Sequence, residues 1–468
     1  MKWLVALGLS LGLITGVSAM TVDEFDAFKQ EGLDKPVIRF GDIAPLLEQH
    51  RQNPLFEFTE LGHSLLGTPI YQIKMGRGDT KVLAWTQMHG DEPTATAAIF
   101  DLLKFIADDA QSMWRESWME HITLYIIPMV NPDGAEANTR VNAQGIDINR
   151  DALVLQSPEG RILMEAAKRI EPHYGFNLHD QNRFHAAGDA KNPATISLLA
   201  PAYNEARDIN ESRKRAMQLI AYVKPLIDQE IPNHLGRYDD TFSVRSFGDT
   251  FSSFGISTVL VEAGGHRNDD NRQVARRLNF LMYVKWLNGI ASGSYRTADV
   301  ADHDAIPFNQ RGMKDVLIHN VTFTLNEQPA LLDLAFDLDW EASRRARIDD
   351  IGDLSIFGAY HSFDAEGLHF KAGRGYRLTQ PMTLEQDAYI ELLRAGYTHF
   401  IGDQELLRNN SRLPVLFNPA RRLPMESLVR QQSATFLLRN DEGEIPYAVV
   451  NGQVIELDRG RVMYRYGS

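Results

Sequence analysis

The amino-acid sequence contains no cysteine. The chain can therefore form no disulfide bond and can carry no lipid on a cysteine side chain. Thiolate is excluded both as a nucleophile and as a metal ligand. Any metal site in this protein has to be built from His, Asp and Glu side chains.

Positive charge is in short supply. The 468 residues include 48 Lys and Arg against 62 Asp and Glu, which gives a formal net charge of -14. General binders of the nucleic-acid backbone or of anionic membranes need a positive field, so this balance argues against both kinds of partner. The length is sufficient for one large domain and a smaller one with a substantial core.

Long apolar runs are absent except at the amino terminus. Lys2 gives a short basic start, an apolar run extends from Trp3 to Val17, and Ala19 ends a stretch of small residues that suits a signal peptidase. The run is shorter than the roughly 20 residues of a membrane-spanning helix, which disfavours an uncleaved anchor. We therefore predict a signal peptide over residues 1–19, with export to the periplasm or secretion and no membrane anchor after cleavage.

Short apolar runs alternate with segments of helical periodicity over much of the chain. This alternation favours an α/β fold over residues 20–295, with a mixed, mostly parallel central sheet flanked by helices. The predicted strands are Lys81–Met88, Ile122–Val130, Gly175–His179, Thr195–Ala200 and Ser257–Glu262. The predicted helices are Thr94–Ala107, Glu159–Ile170, Glu205–Ile227 and Asn271–Leu287. Because α/β folds bind ligands at the carboxyl ends of their strands, His89, His179 and Glu262 stand where a site is expected.

The pattern changes after about residue 292 to shorter alternating segments with frequent turns. We interpret residues 300–468 as a β-rich accessory domain with a helix near Leu384–Arg394, and no motif in it indicates a role. Asn451-Gly452 between two apolar runs predicts a hairpin, since both residues tolerate positive φ. Further predicted strands are Val321–Thr324, Leu354–Tyr360 and Gly367–Lys371.

His89 and Glu92 form an H-x-x-E pair between a predicted strand and a helix that Pro93 can start. An imidazole and a carboxylate at this spacing can converge on one metal ion. A catalytic zinc site also needs a third protein ligand and an open position, and His179 at the end of another strand is the obvious candidate. Alone, however, an H-x-x-E pair is a weak signal.

The residues between these candidates make the signal specific. The sequence continues with Asn131-Pro132-Asp133-Gly134, which we interpret as a turn, then Arg140, then Asp147-Ile148-Asn149-Arg150. With the H-x-x-E pair, a His and a Glu at later strand ends, this ordered set resembles the zinc carboxypeptidase family, the carboxypeptidase A-like metallopeptidases. The resemblance covers roughly residues 55–290 and is closest to bacterial exported members, because Asp91 replaces the basic residue of digestive members.

The resemblance implies a role for each matching residue. One Zn²⁺ per chain would be bound by His89, Glu92 and His179, with Glu262 as the general base. The other implied roles are support of a ligand histidine for Asp147, polarisation of the scissile carbonyl for Arg140, and binding of the terminal carboxylate for Asn149 and Arg150. With a looser alignment, Tyr238 matches the family's substrate-binding tyrosine. We expect Ser246–Phe254 to line the side-chain pocket, where Asp249 could favour a basic residue, and we interpret His185 and His266 as supporting or surface residues.

The expected partner is a peptide or peptide-like substrate with a free carboxylate, and the expected reaction is removal of its last residue. A peptidase of γ-D-glutamyl or diaminopimelyl cell-wall peptides is an alternative, as is a deacylase of small acyl amino acids. An inactive peptide-binding protein on the same scaffold is the alternative from a different class. The sequence leaves the oligomeric state open.

Overall fold

The computed structural model of the protein describes residues 22–339, 345–419, 422–424 and 428–464, so the predicted signal peptide lies outside the described residues. We define an amino-terminal unit, residues 22–308, and a carboxy-terminal unit, residues 309–464. The strands of the first unit are β1 Glu57–His63, β2 Pro69–Gly76, β3 Thr80–Thr86, β4 Ile122–Ile127, β5 Tyr174–Asp180, β6 His185–Ala187, β7 Ile196–Leu199, β8 Leu235–Arg237 and β9 Ser257–Ala263. Its helices are α1 Val22–Phe28, α2 Phe40–Arg51, α3 Thr94–Ala107, α4 Ser112–Met119, α5 Pro132–Ala137, α6 Pro158–Ile170, α7 Glu211–Glu230, α8 Phe247–Ser253, α9 Gln273–Ser292 and α10 Val300–Asp304.

One eight-stranded sheet forms the centre of the amino-terminal unit, with the strand order β1-β2-β4-β3-β5-β9-β7-β8. The central neighbours β4, β3, β5 and β9 run parallel, whereas β1, β2 and β7 introduce antiparallel pairings. Every residue of β5 is buried, as expected for a strand covered on both faces. The predicted mixed α/β sheet flanked by helices is confirmed.

Helices cover both faces of this sheet. Buried side chains of α3, α7 and α9 form one apolar cluster, and those of α6 and α8 form a second one. Trp286 of α9 stacks on Phe176 of β5 with ring centroids 4.7 Å apart. The two layers hold the central strands in place, so their carboxyl ends are a rigid platform for side chains.

Three local predictions need correction. The helix predicted from Glu205 begins at Glu211, because the Asn210 side chain accepts a hydrogen bond from the Arg213 backbone N–H and caps the helix there. The strand predicted to reach Val130 ends at Ile127. The predicted turn at Asn131-Pro132-Asp133-Gly134 is the start of α5, where the Asn131 side chain accepts from the Gly134 N–H and Pro132 occupies the first turn.

The carboxy-terminal unit is rich in strands, as predicted. Its strands are β10 Asn309–Arg311, β11 Met313–Leu325, β12 Gln328–Asp339, β13 Arg345–Gly352, β14 Gly358–Asp364, β15 His369–Lys371, β16 Arg374–Arg377, β17 Met382–Leu384, β18 Tyr397–Ile401, β19 Leu407–Asn409, β20 Phe436–Arg439, β21 Tyr447–Val450, β22 Gln453–Glu456 and β23 Arg461–Val462, and its helix is α11 Gln386–Arg394. The largest sheet has the order β13-β12-β11-β15-β20-β21-β22-β23, with β14 also paired to β11. Asn451 and Gly452 have φ of 50° and 78° between β21 and β22, which confirms the predicted hairpin.

Two predictions in this unit are wrong in extent. The strand predicted at Val321–Thr324 is only part of the 13-residue β11, and the segment from Leu354 to Phe357 is a turn before β14. A register shift between Ile318 and Val321 in the β11–β12 pairing breaks the alternation of apolar and polar residues. That irregularity hides the length of the strand in the sequence.

The two units are joined by pairing as well as by the chain. Strand β6 of the first unit pairs antiparallel with β10 of the second. Arg183 donates from Nη2 to Asp315 Oδ2 at 2.8 Å, which links the loop after β5 to β11. Within the described ranges, a helix long and apolar enough to cross a membrane is not found.

Candidate metal centre and active site

The loop after β3 carries two of the predicted metal ligands. His89 and Glu92 lie between the end of β3 and the start of α3, and the Glu92 N–H donates to the His89 carbonyl at 3.2 Å. Gly90 packs so closely on Gly134 that a Cβ at Gly90 would lie 2.0 Å from the Gly134 carbonyl carbon. Only glycine fits there, so the α5 segment and the ligand loop are built as one compact unit.

Gln87 holds this loop from beneath. Its backbone is in the left-handed region with φ of 48°, and its side chain is fully buried. Gln87 Nε2 donates to the carbonyls of Ile38 at 2.8 Å and Gly90 at 2.9 Å, and its Oε1 accepts from Thr96 Oγ1 at 2.8 Å. Both polar atoms of this amide therefore take part in fixing the loop.

His179, from β5, completes a group of three converging side chains. His179 Nδ1 lies 2.7 Å from Glu92 Oε2 and 3.1 Å from His89 Nδ1, and His89 Nδ1 lies 2.8 Å from Glu92 Oε1. All three residues are buried, and their ligand atoms lie within 4.8 Å of one another. Two imidazoles and one carboxylate so arranged are suited to a divalent metal ion with one position left open.

The far side of the His89 ring faces a carboxylate. His89 Nε2 lies 3.0 Å from Asp147 Oδ1, and Arg140 donates from Nε to Asp147 Oδ2 at 3.0 Å. Arg140 also donates from Nη1 to Glu92 Oε1 at 3.2 Å. The structure thus brings both residues to the ligand group, with Asp147 in contact with His89 and Arg140 in contact with Glu92.

The electrostatics of the group favour a bound cation. Burial alone would raise the pKa of Glu92, but the two histidines outweigh burial and lower it, so the carboxylate is ionised. Burial would lower the pKa of His89, but Glu92 and Asp147 outweigh it and raise that pKa to about 9. Burial lowers the pKa of His179, against the opposing effect of Glu92. A metal ion would take the place of the proton that His89 otherwise holds.

Glu262 faces this group from the neighbouring strand. It pairs with His179 in the parallel register of β5 and β9, and it retains partial exposure. Burial of the carboxyl group, followed by the negative charge of Glu92, raises the pKa of Glu262 well above its usual value. A raised pKa makes the Glu262 carboxylate a stronger base than an ordinary glutamate, as a proton-transfer residue requires.

Asn149 and Arg150 lie next to the ligand group on a short 3-10 helix, Ile148–Arg150. Asn149 Nδ2 is 3.5 Å from His179 Nε2, and its Oδ1 accepts from the Phe247 N–H at 3.0 Å. Arg150 donates from Nη1 to the Asn149 carbonyl at 2.7 Å and to Ser246 Oγ at 3.1 Å. One side of the metal site therefore carries an amide and a guanidinium, which suit a carboxylate ligand.

A statistical model of the zinc carboxypeptidase family matches residues 47–182 of this chain. The match includes all three candidate ligands and the residues from Arg140 to Arg150, and it ends before Tyr238 and Glu262. Residues 47–182 belong to the zinc carboxypeptidase family.

Individual relatives agree with this assignment over the same part of the chain. Carboxypeptidase 2 of Trichophyton tonsurans is 28% identical over 132 residues, which are 28% of this chain and 24% of that protein. Carboxypeptidase SOL1 of Arabidopsis thaliana is 27% identical over 136 residues, which are 25% of this chain and 28% of the relative. The chain thus spans about a quarter of the length of the curated relatives it matches.

Solved structures of carboxypeptidases are similar at low sequence identity. A metallo-carboxypeptidase from Burkholderia cenocepacia has a TM-score of 0.46 and 18% identity, covering 55% of this chain and 70% of that one. Thrombin activatable fibrinolysis inhibitor has a TM-score of 0.45 and 14% identity, covering 60% of this chain and 78% of that one.

The remaining residues predicted from the zinc carboxypeptidase resemblance lie around the metal centre. Tyr238 directly follows β8, its N–H donates to the Leu198 carbonyl at 3.0 Å, and its ring is half-buried. Burial, followed by the charge of Glu262, raises the pKa of Tyr238 to about 12, so its hydroxyl stays protonated and can donate. Its role in substrate binding stays a prediction.

The predicted side-chain pocket, Ser246–Phe254, is α8 and its flanks, adjacent to Asn149 and Arg150. Asp249 is buried on the first turn, where it accepts from the Ser243 N–H at 3.0 Å, and burial raises its pKa to about 6. Its preference for a basic residue stays a prediction.

Two further histidines do not join the ligand group. The His185 ring contacts Tyr238 at a centroid distance of 6.2 Å, and the His266 ring lies 4.8 Å from that of His234.

Sequence reasoning missed Gln87 and Asp180. Asp180 follows His179, and its backbone N–H donates to Glu92 Oε2 at 3.2 Å while its Oδ2 accepts from Thr94 Oγ1 at 2.7 Å. For Gln87 the available signal was a polar side chain inside the predicted strand Lys81–Met88. For Asp180 it was only the position directly after His179.

Proposed function

We propose that the protein is a zinc-dependent metallocarboxypeptidase that hydrolyses the last peptide bond of a peptide with a free carboxylate. The observation that carries the proposal is the convergence of His89, Glu92 and His179, with Glu262 paired to His179 across two parallel strands. The family match over residues 47–182 supports it.

The residues present fit one zinc ion per chain. Two imidazole nitrogens and one carboxylate oxygen are the donor set of many catalytic zinc sites, and here all three are buried. When bound, zinc supplies Lewis acidity, which lowers the pKa of a water molecule and polarises a carbonyl group.

Glu262 would transfer the proton from the attacking water molecule to the leaving amine. Its raised pKa makes it a base that can take a proton from the attacking water and then give that proton to the leaving amine. Arg140 would stabilise the negative charge that develops on the carbonyl oxygen. Asp147 and Glu92 hold its Nε and Nη1, while its Nη2 makes no hydrogen bond with a described residue and is free to donate.

Asn149, Arg150 and Tyr238 would hold the substrate's terminal carboxylate. Arg150 uses Nη1 for internal hydrogen bonds, which leaves other donors of its guanidinium for the carboxylate. The Tyr238 hydroxyl is protonated and can add a further donor. A substrate held by its terminal carboxylate would present its last peptide bond to Glu262.

We further propose that the protein is exported to a periplasm or secreted, because the amino-terminal segment has the composition of a signal peptide. Sequencing the amino terminus of the mature protein should give Met20 as its first residue. Retention of residues 1–19 would contradict cleavage.

The activity is tested by metal analysis together with product masses. The purified protein should hold one zinc per chain, and His89→Ala should lose it; a full zinc complement in that variant would contradict the ligand assignment.

Zinc-loaded protein incubated with a mixed peptide library and, separately, with muropeptides should release single carboxy-terminal residues, and the productive mixture identifies the substrate class. Glu262→Gln should retain zinc and lower kcat by about a hundred- to ten-thousand-fold. No product from either mixture would favour a binding protein.

A further inference from the structure

A cavity of about 1220 Å³ lies beside the metal centre. Glu92 and Arg140 line it, so it opens directly onto the ligand group. Pockets for small ligands usually measure about 300–1000 Å³, so this one has room for a longer ligand.

The carboxy-terminal unit forms one wall of this cavity. Asp337 and Leu338 of β12, Arg347 of β13 and Tyr360 of β14 all line it, opposite residues of the amino-terminal unit. The accessory domain, to which the sequence assigns no role, therefore borders the same space as the candidate metal ligands.

This wall is fixed to the loops that follow β5 and β9, the strands that carry His179 and Glu262. The Tyr360 hydroxyl donates to the Arg183 carbonyl at 2.8 Å, in the loop after β5, which carries His179. Arg267, in the loop after β9, donates from Nε to the Ala359 carbonyl at 3.0 Å. Gly265 approaches Tyr360 so closely that a Cβ there would lie 2.2 Å from the hydroxyl oxygen. The wall and the site are thus held in one arrangement.

The cavity extends to only one side of the metal centre. Asn149, Arg150 and Tyr238, all described residues, are not among its lining residues. If the terminal carboxylate of a peptide is held by those three residues, the residues before the cleaved bond must extend into the cavity and reach the carboxy-terminal unit.

Asp337 and Arg347 provide an acceptor and a donor, respectively, on this wall. They are register partners on β12 and β13, and both line the cavity. Asp337 is 6% exposed. Among the described residues, its Oδ1 has no hydrogen-bond donor and the buried Nε of Arg347 has no acceptor. An acceptor next to a donor matches the N–H and C=O groups of an extended peptide backbone.

The cavity is not selective for one sign of charge. Its lining contains seven basic and six acidic side chains. A nearly balanced set does not favour a strongly acidic or basic ligand, whereas peptide main-chain groups are recognised by hydrogen bonds.

We propose that the carboxy-terminal unit completes the substrate site by binding, through Asp337 and Arg347, the main chain of the peptide residues that precede the cleaved bond. The carboxy-terminal unit would thereby make the affinity of the protein for a peptide depend on the length of that peptide. The proposal rests on the proposed function for one point, namely that the carboxy-terminal end of the peptide lies at Asn149 and Arg150 and the preceding residues lie in the cavity.

The test measures binding in zinc-loaded Glu262→Gln protein, in which turnover does not interfere. Two ligands with the same two carboxy-terminal residues are compared by calorimetry, an acyl-dipeptide and an acyl-pentapeptide. We expect the pentapeptide to bind at least about tenfold more tightly. Adding Asp337→Asn or Arg347→Gln should each weaken pentapeptide binding by about threefold to tenfold and reduce the ratio between the two ligands.

Arg459→Gln in the same background is the matched control, since Arg459 is an exposed arginine of the same unit that does not line the cavity. It should keep the full ratio. Equal affinity for both peptides, or an equal loss in the control, would overturn the proposal. If thermal unfolding shows that Asp337→Asn is not folded, the result for Arg347→Gln tests the proposal. Absence of hydrolysis by the wild-type protein, with the length dependence of binding intact, would contradict the proposed activity and leave this site standing.

Discussion

Asp147 and His89 face each other at 3.0 Å, Oδ1 to Nε2, while Nδ1 on the opposite side of the same ring lies 2.8 Å from Glu92. A carboxylate on Nε2 fixes the tautomer that leaves Nδ1 available to a metal. Arg140 in turn holds the other oxygen of Asp147. The orientation of the first ligand is therefore set by residues 50 and more positions further along the chain.

We predict that Asp147→Asn weakens zinc binding by about tenfold to a hundredfold, because the amide removes the negative charge that orients and polarises His89. Competition with a chromophoric chelator measures the affinity directly. Asp353→Asn, which changes an exposed aspartate of the carboxy-terminal unit, is the control. An unchanged zinc affinity in Asp147→Asn would mean that His89 is oriented without this carboxylate.

The residues of the candidate site were predicted from the ordered set that resembles the zinc carboxypeptidase family, and the positions of three of them at strand ends agreed with that resemblance. His89, His179 and Glu262 each follow an apolar run, and parallel strands bring such positions to one edge of a sheet. Gln87 could not be predicted in the same way. Its function depends on a left-handed backbone and on the carbonyl of Ile38, 49 residues away, neither of which periodicity reveals.

For the carboxy-terminal unit, the sequence predicted that the fold is rich in β-strands but not how long its strands are. The bulge between Ile318 and Val321 interrupts the two-residue period, so the sequence displays short strands where a long one forms. The contact of Tyr360 with Arg183 could not be predicted from the sequence either, because it joins residues 177 positions apart in two different units.

Gln87 provides a prediction about positioning. Gln87→Glu keeps the size of the side chain but loses the two N–H donors to Ile38 and Gly90, so we expect weaker zinc binding and lower stability by about 1–3 kcal/mol. Zinc affinity and urea unfolding are measured together. Gln72→Glu is the control, since Gln72 is also buried but accepts from Arg169 away from the site. Equal zinc affinity in the two variants would show that Gln87 serves stability alone.

A buried ion pair ties the amino-terminal segment to the core. Arg276 of α9 and Asp101 of α3 form two hydrogen bonds of 2.7 and 2.6 Å, and both also bind the backbone of Gln30. Their side chains are 1% and 0% exposed. Arg276→Met should lower the free energy of unfolding by about 3–5 kcal/mol, because it leaves a carboxylate buried without its partner.

The double variant Asp101→Leu with Arg276→Met should recover part of that loss, since it removes the stranded charge as well. Urea unfolding of the single and double variants gives the coupling free energy. Additive losses would show that the pair contributes no mutual stabilisation.

His50 makes the stability of the protein depend on pH. The side chain is 5% exposed in α2, its ring packs on Phe56 at a centroid distance of 5.4 Å, and its Nε2 has no hydrogen-bond partner among the described residues. Burial lowers its pKa from 6.5 to about 4. Between pH 6.5 and about 4, the unfolded chain therefore holds a proton on His50 that the folded chain lacks. Stability from this residue is complete above pH 6.5 and is lost as the pH falls through that window, by about 3 kcal/mol at most.

His50→Leu removes the titrating group and keeps an apolar side chain in the same packing site. The difference in unfolding free energy between this variant and the wild type should grow in favour of the variant as the pH falls from 6.5 to 4 and stay constant above that range. Urea unfolding at a series of pH values measures it. His121→Gln, at an exposed position, is the control and should follow the wild type. A constant difference between His50→Leu and the wild type across the window would show that His50 binds its proton equally well in the folded and unfolded chains.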